Sequence, residues 1–352
     1  MYSLKLMDIL FDIFRKGVIF SMKKWLTMMF ASLFFVLAAC GDGDSATEIE
    51  TIHFADAGWD SIRFHNSVAQ TIIENGYGYD TEVTNGTSTA TLQALQQGDL
   101  NVYMEVWTDN LEEIYTKAID RGDIVRAATN FDDNTQGLYV PRYVIEGDSE
   151  RGIEPVAPDL KTVKDLEKYA DVFIDPEDTS KGRVVGAPSS WIISEYLDEK
   201  LKTYGLDEQY NYLVPGSDSA IVASLAGAVK QGEPWVGCCW SPTWVTASFD
   251  LVLLEDEPFD LEKWEEDRST EFPPNDVVIA VHKDFPTQAE DVYEFLQKYE
   301  TSNTLTEEAL DYMNENDASP EEAAKWWMNE HEDIWTSWVP EDIAEKVKSA
   351  IQ

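Results

Sequence analysis

From Glu48 onward, strand-like and helix-like segments take turns along the chain. A strand near 51–57 leads into an amphipathic helix over 60–75, a strand near 79–83, a helix over 88–97, a strand at 101–107 and a helix over 110–121. Each short apolar run needs partners for its backbone groups, and each intervening helix is long enough to return the chain for a parallel neighbour. That rhythm predicts an α/β fold. A loop-rich crossing over 137–152 precedes a second series: strand 183–187, helix 191–204, strand 211–214, helix 217–231 and strand 235–240. Strand character resumes in Asp250-Leu-Val-Leu-Leu-Glu255 and Val277-Val-Ile-Ala-Val281, and helices follow over about 287–300, 305–315, 320–332 and 340–350. The late strands need a sheet to join, which predicts two lobes with the second inserted in the first. Residues 51–140 form the first part of lobe one, 141–247 form lobe two, and 248–352 return to lobe one with the C-terminal helices.

Three strand-like runs end in tryptophan followed by turn or helix-start residues: Val102-Tyr-Met-Glu-Val-Trp107, Val184-Val-Gly-Ala-Pro-Ser-Ser-Trp191 and Val236-Gly-Cys-Cys-Trp240. Trp59 follows the first strand in the same way. In an open α/β sheet the ligand crevice lies beyond the carboxyl ends of the strands, so side chains leaving a strand there face the binding space. Several electron-rich faces converging on one cleft suit a cation that has no hydrogen-bond donor, which describes a quaternary ammonium. The helix starting near 191 adds backbone N–H groups of Ile192 and Ile193, the kind of donor a carboxylate needs. Ser189 or Ser190 is expected to cap that helix rather than touch ligand, and Asp109 to cap the helix at 110. Tyr139 and Tyr143 lie at the lobe crossing and are candidates for the cleft edge. Trp235, Trp244, Trp326, Trp327, Trp335 and Trp338 are assigned to packing.

Residues 22–40 read as a secretion signal: Lys23 and Lys24, an apolar stretch from Trp25 to Ala38, then Leu37-Ala-Ala-Cys40-Gly41. The apolar run is too short to span a bilayer. Small residues directly before a cysteine resemble a bacterial lipobox, which implies removal of 1–39, acylation of Cys40, and a linker over 40–50. Residues 1–21 precede a complete signal and carry Asp8 and Asp12, which points to a start at Met22. The formal net charge is −41, and 1–39 hold five basic but only two acidic side chains, so the remainder is more negative still. Such a surface repels nucleic acid and anionic lipid, and its self-repulsion fits a saline or alkaline exterior. Cys238 and Cys239 are adjacent in a strand and point to opposite faces, which leaves two small buried residues or a strained vicinal disulfide. His53, His65, His282 and His331 show no metal-ligand spacing, and no metal or cofactor is expected.

The ordered set Ala57-Gly-Trp-Asp-Ser61 with Arg63-Phe-His-Asn66, Leu95-Gln-Gln-Gly-Asp99, Val106-Trp-Thr-Asp109, Gly186-Ala-Pro-Ser-Ser-Trp191, Gly232-Glu-Pro-Trp-Val236, Trp240-Ser-Pro-Thr-Trp244 and Phe249-Asp-Leu-Val-Leu-Leu254 resembles the substrate-binding proteins of glycine betaine, proline betaine and choline ABC importers. The resemblance covers nearly all of the chain after the signal. It implies a two-lobe, periplasmic-binding-protein-like fold of type II with the ligand cleft between the lobes. It implies a monomer that captures a quaternary ammonium osmolyte and delivers it to a permease and ATPase on separate chains. Trp107 from lobe one and Trp191 and Trp240 from lobe two would form the cage. Trp59 matches a choline-binder tryptophan, although this chain has Gly58-Trp59-Asp60-Ser61 where those have Gly-Trp-Thr-Asp. Residues 186–193 lack the cysteine of some relatives. Two other functions stay open on the residues alone: a secreted glycosidase whose tryptophans stack on sugar rings, and a sugar or amino-acid binder on the same fold.

Overall fold

The computed structural model describes residues 49–273 and 275–352. The signal region, the start at Met22 and Cys40 lie outside the described residues. Two five-stranded sheets organise the chain. The first has the order β2 (Asp80–Asn85), β1 (Thr51–Asp56), β3 (Val102–Trp107), β10 (Val277–His282), β4 (Ile124–Phe131). β1 runs parallel to β2 and β3, while β10 is antiparallel to both β3 and β4. β3 and β10 are buried along their whole length, as the continuous apolar runs of central strands require. The second sheet has the order β7 (Tyr210–Leu213), β6 (Gly182–Val185), β8 (Gly237–Ser241), β5 (Thr135–Pro141), β9 (Leu251–Leu253). Here β6 runs parallel to β7 and β8, and β5 is antiparallel to β8 and β9. Each sheet therefore contains a parallel trio wired alike, with β1 between β2 and β3 in the first and β6 between β7 and β8 in the second.

Two helices start and stop where their sequence says they must. The Thr87 hydroxyl accepts from the Ala90 N–H at 3.0 Å to open the helix Ser88–Gln97, and Gly98 closes it in the left-handed conformation. Ser217 and Gly232 do the same for the helix Asp218–Gln231. The C-terminal helices build a second core layer, with Trp327 and Trp335 fully buried and the helix Pro320–Glu330 packed on the helix Asp60–Ile72.

The lobe boundaries differ from the sequence expectation. Residues 137–146 are regular structure, since β5 fills 135–141 and a short helix follows at Arg142–Glu146; only 147–152 form a turn. Gly137 looks like a breaker, but it sits where an added Cβ would come within 2.8 Å of the Leu253 side chain, so it is a packing glycine inside the sheet. The first crossing is thus at 132–134. The return is also later than 248, because β9 pairs with β5 and only β10 rejoins the first sheet. Between them, Trp264 of the helix Leu261–Asp267 packs against Tyr196 of the helix Ile192–Thr203.

Lobe two is fastened inside by Lys200. Its side chain is buried, and Nζ lies 2.5 Å from the Asp256 carboxylate and bonds the Thr270 carbonyl. The rings of Tyr204, Trp264 and Phe272 surround the ammonium at 5.6–5.8 Å. One charged group thereby ties 256–272 to the helix Ile192–Thr203. Burial pulls the Lys200 pKa down, and Asp256 opposes that fall.

Candidate functional site

Strand order reverses beside β1 in the first sheet and beside β6 in the second, and these switch points are where an open α/β sheet leaves a crevice. Four indoles leave the strands that flank them. Trp59 follows β1, Trp107 ends β3, Trp191 follows β6 and Trp240 lies in β8. They line one cavity of about 50 Å³ together with Tyr103, Leu111, Ser88, Asn110, Gln136, Ile192 and Ile193. The rings meet nearly at right angles: Trp59 to Trp191 with centroids at 5.7 Å and 86°, Trp191 to Trp240 at 5.0 Å and 89°. Trp107 is braced edge-on against Phe131 at 6.2 Å. All four are under one-tenth exposed. The wall carries no ionised side chain, so its attraction for a cation rests on ring faces.

Glu105 was not singled out from the sequence, and it organises two of the four rings. It is fully buried on β3 behind the cavity wall. One carboxyl oxygen, Oε1, accepts the indole N–H of Trp59 at 2.8 Å, that of Trp107 at 3.1 Å and the Ser61 hydroxyl at 2.9 Å. The other, Oε2, is buried with no hydrogen-bond partner. Burial pushes the carboxyl up to about 8, against the pull of its three donors. The signal was present in sequence: Tyr103, Glu105 and Trp107 alternate along β3 and so share a face. An acidic residue in a fully buried strand is itself an anomaly.

The rim follows from helix ends. Ile192 and Ile193 open the helix Ile192–Thr203, and residues in the first turn have no carbonyl one turn back for their N–H groups. Trp191 occupies the N-cap position and makes no side-chain cap, so neither Ser189 nor Ser190 caps this helix as expected. Asp109 does not cap the next helix either. It opens a 3-10 turn, Asp109–Leu111, its N–H donates to Asn275 Oδ1, and the helix proper begins at Glu112. Tyr143 lies away from the cage: its hydroxyl donates to the Glu233 carbonyl at 2.7 Å and Arg151 covers its ring. It does not line the cavity that the four indoles share. Tyr139 is also buried elsewhere, bonded to Thr135. Cys238 and Cys239 are buried free thiols.

The two lobes are joined across the cleft. Trp191 donates its indole N–H to the Ala57 carbonyl at 3.1 Å, and Ser88 N–H donates to the Ser190 carbonyl at 3.3 Å. Tyr196 donates to the Asn110 carbonyl at 2.9 Å, while the amides of Asn110 and Gln136 bond each other reciprocally at 2.9 and 3.0 Å.

Residues 50–330 match the family described as OpuAC, substrate binding domain of ABC-type glycine betaine transport system. The trimethylamine N-oxide-binding protein of Pelagibacter ubique is 24% identical over 318 residues, 90% of this chain and 99% of that protein. Among solved structures, an ABC-transporter choline binding protein in complex with choline superposes with a TM-score of 0.69 at 21% identity, covering 86% of this chain and 98% of the other. Lactococcal OpuAC in its closed-liganded conformation with glycine betaine gives 0.65 at 18%, covering 83% and 100%. The two-sheet architecture is thus that of the two-lobe periplasmic binding proteins, and the chain belongs to the OpuAC family of substrate-binding domains of ABC-type glycine betaine transport systems.

Proposed function

We propose that Trp59, Trp107, Trp191 and Trp240 hold the trimethylammonium head of a small osmolyte, and that the protein passes it unchanged to a membrane permease. The observation that carries this reading is four indoles, supplied by both lobes, three of them set edge-to-face, around one cavity without a charged wall. A methylated ammonium offers only weakly positive methyl hydrogens, so a desolvated aromatic box is the complementary surface, each face contributing about 1–2 kcal/mol. A sugar would leave its hydroxyls facing rings here.

The cavity volume narrows the choice. One water needs about 10–15 Å³ on this scale, and the cavity offers about 50 Å³. A compact ligand fits best: trimethylamine N-oxide adds only an oxygen to the trimethylammonium head, glycine betaine a short carboxymethyl, and carnitine is the least suited. The polar end of such a ligand would meet the N–H groups of Ile192 and Ile193, Ser88, and the Asn110–Gln136 amide pair. We expect calorimetric titration to show binding for trimethylamine N-oxide, glycine betaine and choline, weaker binding for carnitine, and none for a set of sugars and unmethylated amino acids. Binding of a sugar with comparable affinity would overturn the reading.

Among the described residues no helix is long and apolar enough to cross a membrane. The Leu37-Ala-Ala-Cys40 motif supports tethering of a monomer through acyl chains on Cys40. Mass spectrometry of the membrane-bound protein should find a diacylglyceryl-modified Cys40 as the first residue; cleavage at another bond would refute the anchor.

A further inference from the structure

Among the described residues the carboxyl group of Glu105 is buried directly behind the cage, and the proposed function gives it no task beyond its three hydrogen bonds. Those bonds all converge on Oε1. The same oxygen therefore fixes two indoles, one after β1 and one at the end of β3, at a common point. A proton on the group belongs on Oε2, which has no partner and no access to solvent. We infer that Glu105 is a positioning residue for Trp59 and Trp107 and, through its protonation, makes the cage respond to the net charge of its ligand. The inference rests on the trimethylammonium reading of the cavity.

The physical chain is short. Burial stabilises the neutral acid, and the group sits one side chain behind the cavity, in low-dielectric surroundings where a charge is felt strongly. A fixed cation in the cage favours the carboxylate, so binding lowers the group's pKa and expels its proton. A ligand that is neutral overall, with its negative end at the opposite rim, does this less. The neighbours leave Glu105 as the group that titrates. From β1, Asp56 is committed to the Arg63 guanidinium at 3.0 Å and to the Gly58 N–H. On β3 itself, the buried Tyr103 phenol is held neutral. From the segment before the helix Asn303–Asn316, Tyr299 faces Glu105 and is likewise neutral, bonded to His65. Burial drives His65 to about 3, which keeps it uncharged.

The sign follows from a raised carboxyl. With the free group near 8 and the cation-bound group lower, affinity for a cation rises with pH through the interval below about 8 and is flat above it. One unit of difference corresponds to roughly tenfold in affinity. The test is calorimetry of the full chain with choline, glycine betaine and trimethylamine N-oxide, at about pH 6 to about pH 9, in buffers of different ionisation enthalpy. Choline should release roughly half a proton or more near neutrality and bind about tenfold tighter at the alkaline end, and the two neutral ligands should release clearly less. Glu105→Gln keeps a carbonyl acceptor for both indoles. It should abolish the release and flatten the choline profile across the same pH range, whatever the absolute affinity of the variant. Choline binding without proton release, or release that persists in Glu105→Gln, would overturn the inference. Should the variant not fold, the proton count of the wild-type protein decides alone. Failure of all three ligands to bind would instead remove the cage reading, and this inference with it.

Discussion

Trp107→Ala is expected to weaken binding of a trimethylammonium ligand by about 2–3 kcal/mol, roughly 30- to 150-fold in Kd. The loss has two sources. An aromatic face disappears from the cavity, and Glu105 loses one of the two indole N–H groups that fix its position, so Trp59 is less firmly aimed. Trp107→Phe keeps part of the face but no N–H, and should fall in between. Trp240→Ala should behave like Trp107→Ala, because it removes the wall against which Trp191 is seated edge-on. Sequence alone suggests that truncating Trp107 leaves folding untouched, as for a residue facing an open cleft. The structure corrects that: only 7% of Trp107 is exposed, and it is part of a continuous apolar cluster. A modest fall in melting temperature should accompany the loss of binding. Calorimetric affinity, read with the melting temperature of each ligand-free variant, checks this. Trp326→Ala is the control, since that ring stacks on Tyr312 at 4.4 Å among the C-terminal helices. Wild-type affinity in Trp107→Ala and Trp240→Ala would exclude the cage.

The largest effect on stability is expected at Asp256. Asp256→Ala removes the carboxylate that neutralises Lys200 and leaves an ammonium buried among three rings and one carbonyl. Breaking a buried pair from one side costs about 3–5 kcal/mol, since the remaining charge is neither solvated nor compensated. The Tyr204 hydroxyl, which also bonds Asp256, keeps only the Ser269 carbonyl in the same step. The melting temperature should drop by on the order of 10 °C. Replacing both partners, Asp256→Leu with Lys200→Met, removes the stranded charge and should restore much of the loss. A melting point for Asp256→Ala equal to wild type would show that solvent reaches Lys200 and that the aromatic enclosure is not closed.

Much of the architecture was legible because hydrophobic period and helix caps are local signals. The runs that became β1, β3, β8 and β10 are apolar enough to be recognised without their partners. β4 and β5 were not. Ile124–Phe131 carries Arg126, Thr129 and Asn130, and its strand character comes from pairing with β10; Thr135–Pro141 contains Gly137 and ends in proline, and comes from lying between β8 and β9. Tertiary pairing decided both, and with them the lobe boundaries. The four indoles that line the cavity stand out because position at a strand's carboxyl end carries meaning by itself. Glu105, the Asn110–Gln136 pair and the misplacement of Tyr143 could not be read so simply. Which polar group lies behind a ring, or which side of a sheet a crossing residue faces, depends on contacts between segments far apart in the chain.

The hydrogen bonds that join the lobes bear on how long a ligand stays. Trp191 to Ala57, Ser88 to Ser190 and Tyr196 to Asn110 tie protein to protein, so on the proposed reading they would hold the cavity shut whichever small molecule is inside. Apparent affinity is then intrinsic affinity scaled by how much of the population is closed, and dissociation must wait for these bonds to part. Residence time would then be a property of these lobe-to-lobe bonds as much as of the box. A permease that grips both lobes and pulls them apart can empty the site without competing for the ligand at all.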